Sequence, residues 1–485
     1  MPAEPSTATL LIDGEWRPGP TAFEVVDPAT LEVVAHAADA GPGEALAALE
    51  AACAAFPAWR ATPSEDRATA LRAAAAAIRA AAEPLAELMT SENGKPLHEA
   101  RGEVMGSARM LDWAAEEGRR ADGRVTPGNQ AGPGLVLRTP VGPALAITPW
   151  NFPASMLVRK VGLALAAGCP VIVKPAEQTP MIGTELVRII NEAAALPAGV
   201  LQSITTTRPA EVVGALLDDP RLRKVSFTGS TEVGLGLIRS TGARLRRTSL
   251  EMGGHSPAIV FGDADLATAA AAVSAAKFAN AGQSCIAINR LYVQRGALEE
   301  FLPLLLERVA ALRLGHGADE GTTLGPLIDF AGLDKVERHV TDAVKRGATV
   351  AAGGRRWTGE GARPGLTGAF YEPTVLTGVD DSMLISSEET FGPVLPIYAF
   401  DDDEDALRRA NASEYGLAAY VFGSGLSRIW RAVESLDFGI VAVNDPAPVR
   451  PELPFGGMKN SGQEREGGSE GIDAYLETKS VSVRL

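Results

Sequence analysis

From residue 140 onward, short uninterrupted apolar runs alternate with stretches of helical periodicity. The runs are 143–148 (PALAIT), 170–175 (PVIVKP), 199–205 (GVLQSIT) and 224–229 (KVSFTG), with helical stretches at 157–168, 185–195 and 211–219. Short apolar strands separated by helices predict βαβ units and a parallel sheet covered on both faces. A second series predicts a second α/β unit: a strand at 256–261 (SPAIVF), a helix through 282, a strand at 290–294 (RLYVQ), helices at 297–312 and 332–346, and a β-like run at 348–354 (ATVAAGG). The segments 135–142 (LVLRTPVG) and 474–485 (AYLETKSVSVRL) read as edge strands that pair with one another or with another subunit. Nearer the N-terminus, Thr62-Pro63-Ser64-Glu65 marks a helix start, with Thr62 as cap, Pro63 at the first position and Glu65 closing a capping box. That helix is expected to run to about Ala82, where Pro84 interrupts it.

Length and composition bound the class. At about 150 residues per domain, 485 residues make two to four units. An apolar content of 46% with 22% charged residues excludes disorder as a whole-chain property. A net charge of −15 excludes a general nucleic-acid binder or a ligand of anionic membranes, since both need a basic face, and reads as a solubility feature. The N-terminus carries no basic region followed by an apolar run, and the alanine-rich stretches 71–83 and 266–282 are broken by charge or too short to span a bilayer. A soluble, cytoplasmic chain is expected. The three cysteines (Cys53, Cys169, Cys285) and five scattered histidines match neither a disulfide framework nor a metal site, so no metal is expected.

Five motifs could carry chemistry. The strand-to-helix turn at 228–234 holds Gly229, Ser230 and Gly234, which suit a backbone approaching a pyrophosphate at a helix N-terminus. Lys174 and Glu177 stand at the end of the apolar run 170–175 and could hold ribose hydroxyls. Asn151, in T-P-W-N-F-P, is a candidate oxyanion donor. Cys285 ends the polar, glycine-containing N-A-G-Q-S-C, unlike Cys169, whose apolar flanks mark a small buried hydrophobe. Glu251 ends an apolar strand before two glycines, where apolar walls would raise its pKa and suit it to act as a base. Taken singly, each also reads as ordinary structure: a βα turn, a surface ion pair, an Asx turn.

Their order along the chain carries more. T-P-W-N-F-P, V-K-P-A-E-Q-T-P, F-T-G-S-T-E-V-G, L-E-M-G-G-H-S-P and G-Q-S-C are followed by E-E-T-F-G-P-V-L (388–395) and P-F-G-G-M-K-N-S-G (454–462). From about Leu10 to the C-terminus this resembles the aldehyde dehydrogenase superfamily. W-N-F-P…R-K, W-A-A-E-E-G-R-R (113–120), G-P-L-I (325–328) and G-I-D-A-Y-L-E-T-K (471–479) are most similar to its succinate-semialdehyde dehydrogenase branch.

The resemblance implies an α/β fold. Its parts are a Rossmann-like parallel-sheet cofactor domain (1–122 and 142–251), an α/β catalytic domain (252–446) and a small β oligomerisation arm (123–141 and 470–485) in a homodimer or homotetramer. It implies a small-molecule aldehyde substrate. Cys285 would be the nucleophile, Asn151 with the Cys285 N–H the oxyanion donor, and Glu251 the base that hydrolyses a thioester to the free acid; relatives that acylate coenzyme A lack that carboxylate. Trp150, Lys174, Glu177, Gly229, Ser230, Gly234, Glu389 and Phe391 would hold the cofactor, with NAD expected over NADP because Glu177 repels a 2′-phosphate. Arg159, Arg450 and Trp113 are the expected substrate contacts, and His255 is read as structural. The sequence departs from the branch at Ala279, where an Arg commonly binds the substrate carboxylate, at Ala287, which removes a neighbouring Cys, and at Gln463-Glu464. Succinate semialdehyde is the expected substrate. A neutral or larger aldehyde is the alternative, with a non-catalytic or esterase-like relative beyond it, and an NAD-coupled aldehyde panel separates them.

Overall fold

In the computed structural model, residues 6–129, 132–242, 244–359 and 363–483 are described. The alternating runs build two separate sheets. Five parallel strands of the first lie in the order Arg247–Glu251, Lys224–Thr228, Ala144–Ile147, Val171–Lys174, Leu201–Ser203. Chain order reverses at Ala144–Ile147, and such a reversal opens a ligand crevice beyond the carboxyl ends of the strands. The segments leaving those ends are Thr148-Pro149-Trp150-Asn151 and Gly229-Ser230. Antiparallel strands extend both edges, Leu10–Ile12 followed by Glu15–Arg17 at one and Gly462–Gln463 at the other. The strands are buried on both faces, as their near-continuous apolar runs require. One core is supplied by the helices Ser64–Ala80, Leu97–Arg119, Pro153–Ala167 and Pro180–Ala193, the other by Pro42–Ala61, Pro209–Asp218 and Thr231–Gly242.

The second sheet runs in the order Thr349–Ala352, Thr374–Thr377, Val394–Phe400, Ile288–Gln294, Ser256–Val260, Ala418–Phe422, Ile440–Val443, parallel except for its first pair. The chain passes from the carboxyl end of the first sheet to the amino end of the second within Met252–His255. Cys285 precedes the amino end of Ile288–Gln294, and Glu389 and Phe391 precede that of Val394–Phe400. The site therefore gathers where the carboxyl edge of one sheet meets the amino edge of the other.

A third, antiparallel sheet joins Leu476–Ser482, Gly132–Pro140 and Arg124–Asn129, in register from Leu476 opposite Pro140 to Ser482 opposite Gly134. The two β-like segments thus pair with one another inside one chain; residues 484 and 485 lie outside the described residues. The expected capping box at Thr62 does not form. Thr62 instead closes the preceding helix, its hydroxyl donating to the Ala58 carbonyl (3.2 Å), while Glu65 pairs with Arg72 and Arg119. The helix starts at Ser64 and ends at Ala80. Pro84 falls in the first turn of the next helix, Ala82–Asn93, where its missing N–H leaves no bond unmade.

Candidate active site

Cys285 stands at the junction of two cavities. One, of about 430 Å³, is lined by Trp150, Asn151, Gly229, Ser230, Glu389 and Phe391. The other, of about 700 Å³, is lined by residues including Glu99, Arg159, Ala279, Ser284 and Phe455. Cys285 lines both, so the two cavities meet at this residue. Each cavity has the size of a small-molecule site.

The loop that carries the thiol is held closely. Gly254 passes so near the Cys285 carbonyl that a Cβ there would collide with its oxygen. Asn280 and Ala281 both adopt left-handed backbone (φ 48° and 55°) without being glycine. The Asn151 side chain donates its amide to the Gln283 carbonyl at 3.0 Å, which ties the oxyanion candidate to the cysteine loop. Burial pushes the Cys285 thiol up to about 12; the carboxylates of Glu389 and Glu251 add to this and Arg159 opposes it.

Glu251 ends its strand and is 1% exposed. Neither of its carboxylate oxygens has a hydrogen-bond partner among the described residues. Burial, with the charge of Glu466, holds its pKa well above the carboxylate range, against Lys160, Arg465 and Arg159. Its side chain lies against Gly456, where a Cβ would come within 2.6 Å of Oε1 and where φ is +157°. Glu251 lines neither cavity in this conformation, although its charge reaches the thiol. The segment 459–462 braces it from outside: Met252 N–H donates to Ser461 O (2.9 Å), and Ser461 Oγ donates to Gly253 O (2.7 Å). Gln463, one of the departures, belongs to this brace and bonds Thr248, away from both cavities. Behind Glu251, buried Lys160 pairs with Glu466, which also accepts from Ser226 Oγ at 3.1 Å.

The donor set of the smaller cavity fits a nicotinamide dinucleotide. Glu389 accepts the Gly254 N–H with one oxygen (3.0 Å), and its other oxygen has no bond among the described residues and is left for a ribose hydroxyl. Burial pushes Glu389 up to about 7, against the Gly254 bond and Lys335. Trp150 and Phe391 meet edge to face at 5.6 Å, and Phe391 holds φ 55°. Lys174 and Glu177 pair with each other at 3.2 Å at the carboxyl end of Val171–Lys174, outside the lining of the cavity. Gly234 lies outside it too. A Cβ there would collide with the Met252 thioether, so this glycine lets the Thr231–Gly242 helix pack on the strand end.

In the larger cavity, Arg159 is 3% exposed. Its Nη1 donates to the Glu466 carbonyl (3.2 Å) and its guanidinium lies 4.8 Å from the Phe455 ring centroid. Its Nε and Nη2 have no partner among the described residues. Buried arginine nitrogens without acceptors are costly, so they mark a place for an anion. Ala279 lines the same cavity, with Gly102 and Gly106 on one helix and Ala271 and Ala275 on another. Two of the expected substrate contacts are not there. Arg450 is exposed and its guanidinium is taken by Asp445 at 3.0 Å. Trp113 donates its indole N–H to the Gly468 carbonyl (3.0 Å) beside Arg159, and so holds a neighbouring loop without lining the cavity. His255 is fully buried, bonds Ile385 O (3.1 Å), and has its pKa driven well below the usual value by burial, consistent with a structural part.

The residues between 92 and 103 were not singled out in the sequence. Glu92 accepts the Met181 and Ile182 N–H groups (2.9 and 2.8 Å) and caps the Pro180–Ala193 helix. Asn93 donates to Trp150 O (2.8 Å), and Lys95 donates to Asn151 O (2.8 Å) and to Glu103 (2.5 Å). Glu103 in turn accepts Ala154 and Ser155 N–H groups (2.9 and 3.0 Å) at the start of Pro153–Ala167. The segment is a buried polar frame around the Trp150-Asn151 loop. Along the sequence the segment shows only scattered charges, Glu92, Lys95, Glu99, Arg101 and Glu103, around the helix breakers Gly94 and Pro96. Among the described residues there is no cluster of His, Cys, Asp and Glu suited to a metal and no helix long and apolar enough to cross a membrane.

A family model described as the aldehyde dehydrogenase family matches residues 16–481. The chain is 44% identical over 478 residues to the NADP(+)-linked succinate-semialdehyde dehydrogenase GabD of Escherichia coli, covering 98% of this chain and 97% of that protein. It is 42% identical over 477 residues to a glutarate-semialdehyde dehydrogenase of Pseudomonas putida, with 98% and 97% covered. The crystal structure of succinate-semialdehyde dehydrogenase from Burkholderia pseudomallei superposes with a TM-score of 0.95 at 41% identity, covering 99% of this chain and 98% of that one.

Proposed function

Because the chain belongs to the aldehyde dehydrogenase family, we propose that its substrate is succinate semialdehyde, oxidised to succinate. It is an NAD(P)-dependent enzyme that converts an aldehyde to a carboxylic acid. The observation that carries the substrate reading is Arg159. Its buried guanidinium keeps Nε and Nη2 free in the cavity that Cys285 lines, which suits a carboxylate at the far end of a short aldehyde.

The residues divide the work as follows. Cys285, as thiolate, adds to the aldehyde carbon. The oxygen of the resulting thiohemiacetal accepts a hydrogen bond from the Asn151 amide N–H that Gln283 does not use. A nicotinamide cofactor held by Trp150, Glu389 and Phe391 in the smaller cavity would supply the acceptor for the hydride that leaves this carbon. Collapse leaves a thioester on Cys285. Glu251 swings from its place beside Gly456 to take a proton from water, and the hydroxide formed releases the free acid. The unpartnered state of its carboxylate supports this, since no hydrogen bond has to break first.

Ala279 favours a second reading. With one arginine fewer and about 700 Å³ to fill, the cavity also suits a longer semialdehyde or a neutral aldehyde, and one relative acts on glutarate semialdehyde. A panel of succinate semialdehyde, glutarate semialdehyde, butanal and benzaldehyde tests the choice; preference for the uncharged pair overturns it. The carboxylate of Glu177, which pairs with Lys174 beyond the lining of the smaller cavity, would repel a 2′-phosphate there and so favours NAD; equal or better turnover with NADP contradicts this. The sheet of Leu476–Ser482, Gly132–Pro140 and Arg124–Asn129 exposes Val125 and Leu137, which supports a role in joining subunits as a homodimer or homotetramer. The cytoplasm suits an unpaired thiol as catalyst.

A further inference from the structure

We propose that Glu99 is a positioning residue for this oxidation: through the N–H of Asn280 it holds the turn that presents the Asn151 amide to the aldehyde oxygen. The inference rests on the reading that Cys285 and Asn151 oxidise an aldehyde, and adds a residue to that site.

Glu99 lies in the first turn of the Leu97–Arg119 helix, where a carboxylate ordinarily serves the helix's own N–H groups. It does otherwise here. Its Oε2 leaves the helix and accepts the N–H of Asn280, 181 residues away, at 2.8 Å. Asn280 and Ala281 are consecutive non-glycine residues in left-handed backbone, at φ 48° and 55°. Such backbone persists only where its surroundings over-determine it.

The bonds that hold the turn tie it to itself and to the Asn151 loop. Asn280 Nδ2 donates to Asn151 O at 2.9 Å, and the Gln283 N–H and Nε2 both donate to Asn280 O at 3.0 Å. The turn so fixed aims Gln283 O at Asn151 Nδ2, 3.0 Å away. Glu99 is the outermost member of this chain of bonds, and it contacts the turn from the wall of the aldehyde cavity. Without it the Asn280 N–H loses its acceptor, the strained turn relaxes, and the Asn151 amide loses the carbonyl that orients it.

Burial pushes Glu99 up to about 7, against Lys95 and the Asn280 bond. Ionised or protonated, it keeps a carboxyl oxygen that accepts an N–H. The role therefore depends on the acceptor and not on the charge, and glutamine can fill it.

The test is the first-turnover burst of NADH when NAD-saturated enzyme meets aldehyde, measured with both succinate semialdehyde and butanal. Glu99→Ala is expected to slow the burst roughly ten- to a hundredfold, by the same factor for both aldehydes, with the half-saturating aldehyde and NAD concentrations unchanged. Glu99→Gln is expected to restore most of the rate. Adding Ala281→Gly to Glu99→Ala is expected to restore part of it, because glycine adopts the left-handed turn without strain. If Glu99→Ala does not fold, Glu99→Asp repeats the test by withdrawing the acceptor one methylene, and a slowed burst supports the proposal. A wild-type burst in Glu99→Ala or Glu99→Asp, a loss in Glu99→Gln equal to that in Glu99→Ala, or a change confined to half-saturation overturns it. A wrong substrate assignment changes which aldehyde reacts faster and leaves the ratio of variant to wild type unmoved.

Discussion

The Asn151 side-chain amide donates to the Gln283 carbonyl at 3.0 Å, two residues before Cys285. That bond uses one amide hydrogen, fixes the plane of the group and leaves the second hydrogen for the oxygen that becomes negative during attack. Asn151→Ala should lower kcat about 10²- to 10³-fold, the usual cost of one oxyanion donor. NAD binding, followed by fluorescence, should be unchanged.

The base role proposed for Glu251 needs its deprotonated form, and burial with Glu466 holds its pKa above the ordinary carboxylate range. The hydrolytic step should therefore quicken as pH rises through that raised pKa and slow on acidification. Glu251→Gln should keep the first NADH burst and lose steady turnover by roughly 10²-fold or more. Stopped-flow and steady-state assays on one preparation measure both.

The thiol of Cys285 is pushed up to about 12 by burial and by two nearby carboxylates, so thiolate is scarce near neutrality without cofactor. Its alkylation by iodoacetamide in cofactor-free enzyme should rise about tenfold per pH unit from about pH 7 to about pH 10. Peptide mass spectrometry separates it from Cys53 and Cys169. A plateau below about pH 9 contradicts the assigned environment.

Arg450 was an attractive replacement for the arginine missing at Ala279, but Asp445 takes its guanidinium at the surface. Arg450→Ala should leave kcat/KM for succinate semialdehyde within about twofold, since an exposed ion pair is worth little.

The three residues proposed for catalysis stood out in the sequence because each sits on a strand end or beside a turn whose local motif marks it: Glu251 before Gly253-Gly254, Cys285 after Gly282, Asn151 between two prolines. The parallel sheets were legible for the same reason, as uninterrupted apolar runs bounded by helices. The frame around the site was not. Glu99 and Lys95 owe their roles to partners 181 and 56 residues away, and along the chain they look like any charged residues at a helix start. Thr62 misled because it ends one helix where the motif resembles the start of another. Arg450 misled because only the folded loop brings Asp445 to it, five residues away.

The substrate proposal rests on Arg159, whose free guanidinium nitrogens would bind the carboxylate of an aldehyde whose carbonyl reaches Cys285. The most direct measurement is the ratio of kcat/KM for succinate semialdehyde to that for butanal, in the wild type and in Arg159→Met. Losing a charge-assisted bond of about 1.5–3 kcal/mol should lower that ratio roughly 10- to 150-fold, with butanal little changed. A wild-type ratio below one, or a ratio that Arg159→Met leaves unchanged, would rule out this role for Arg159.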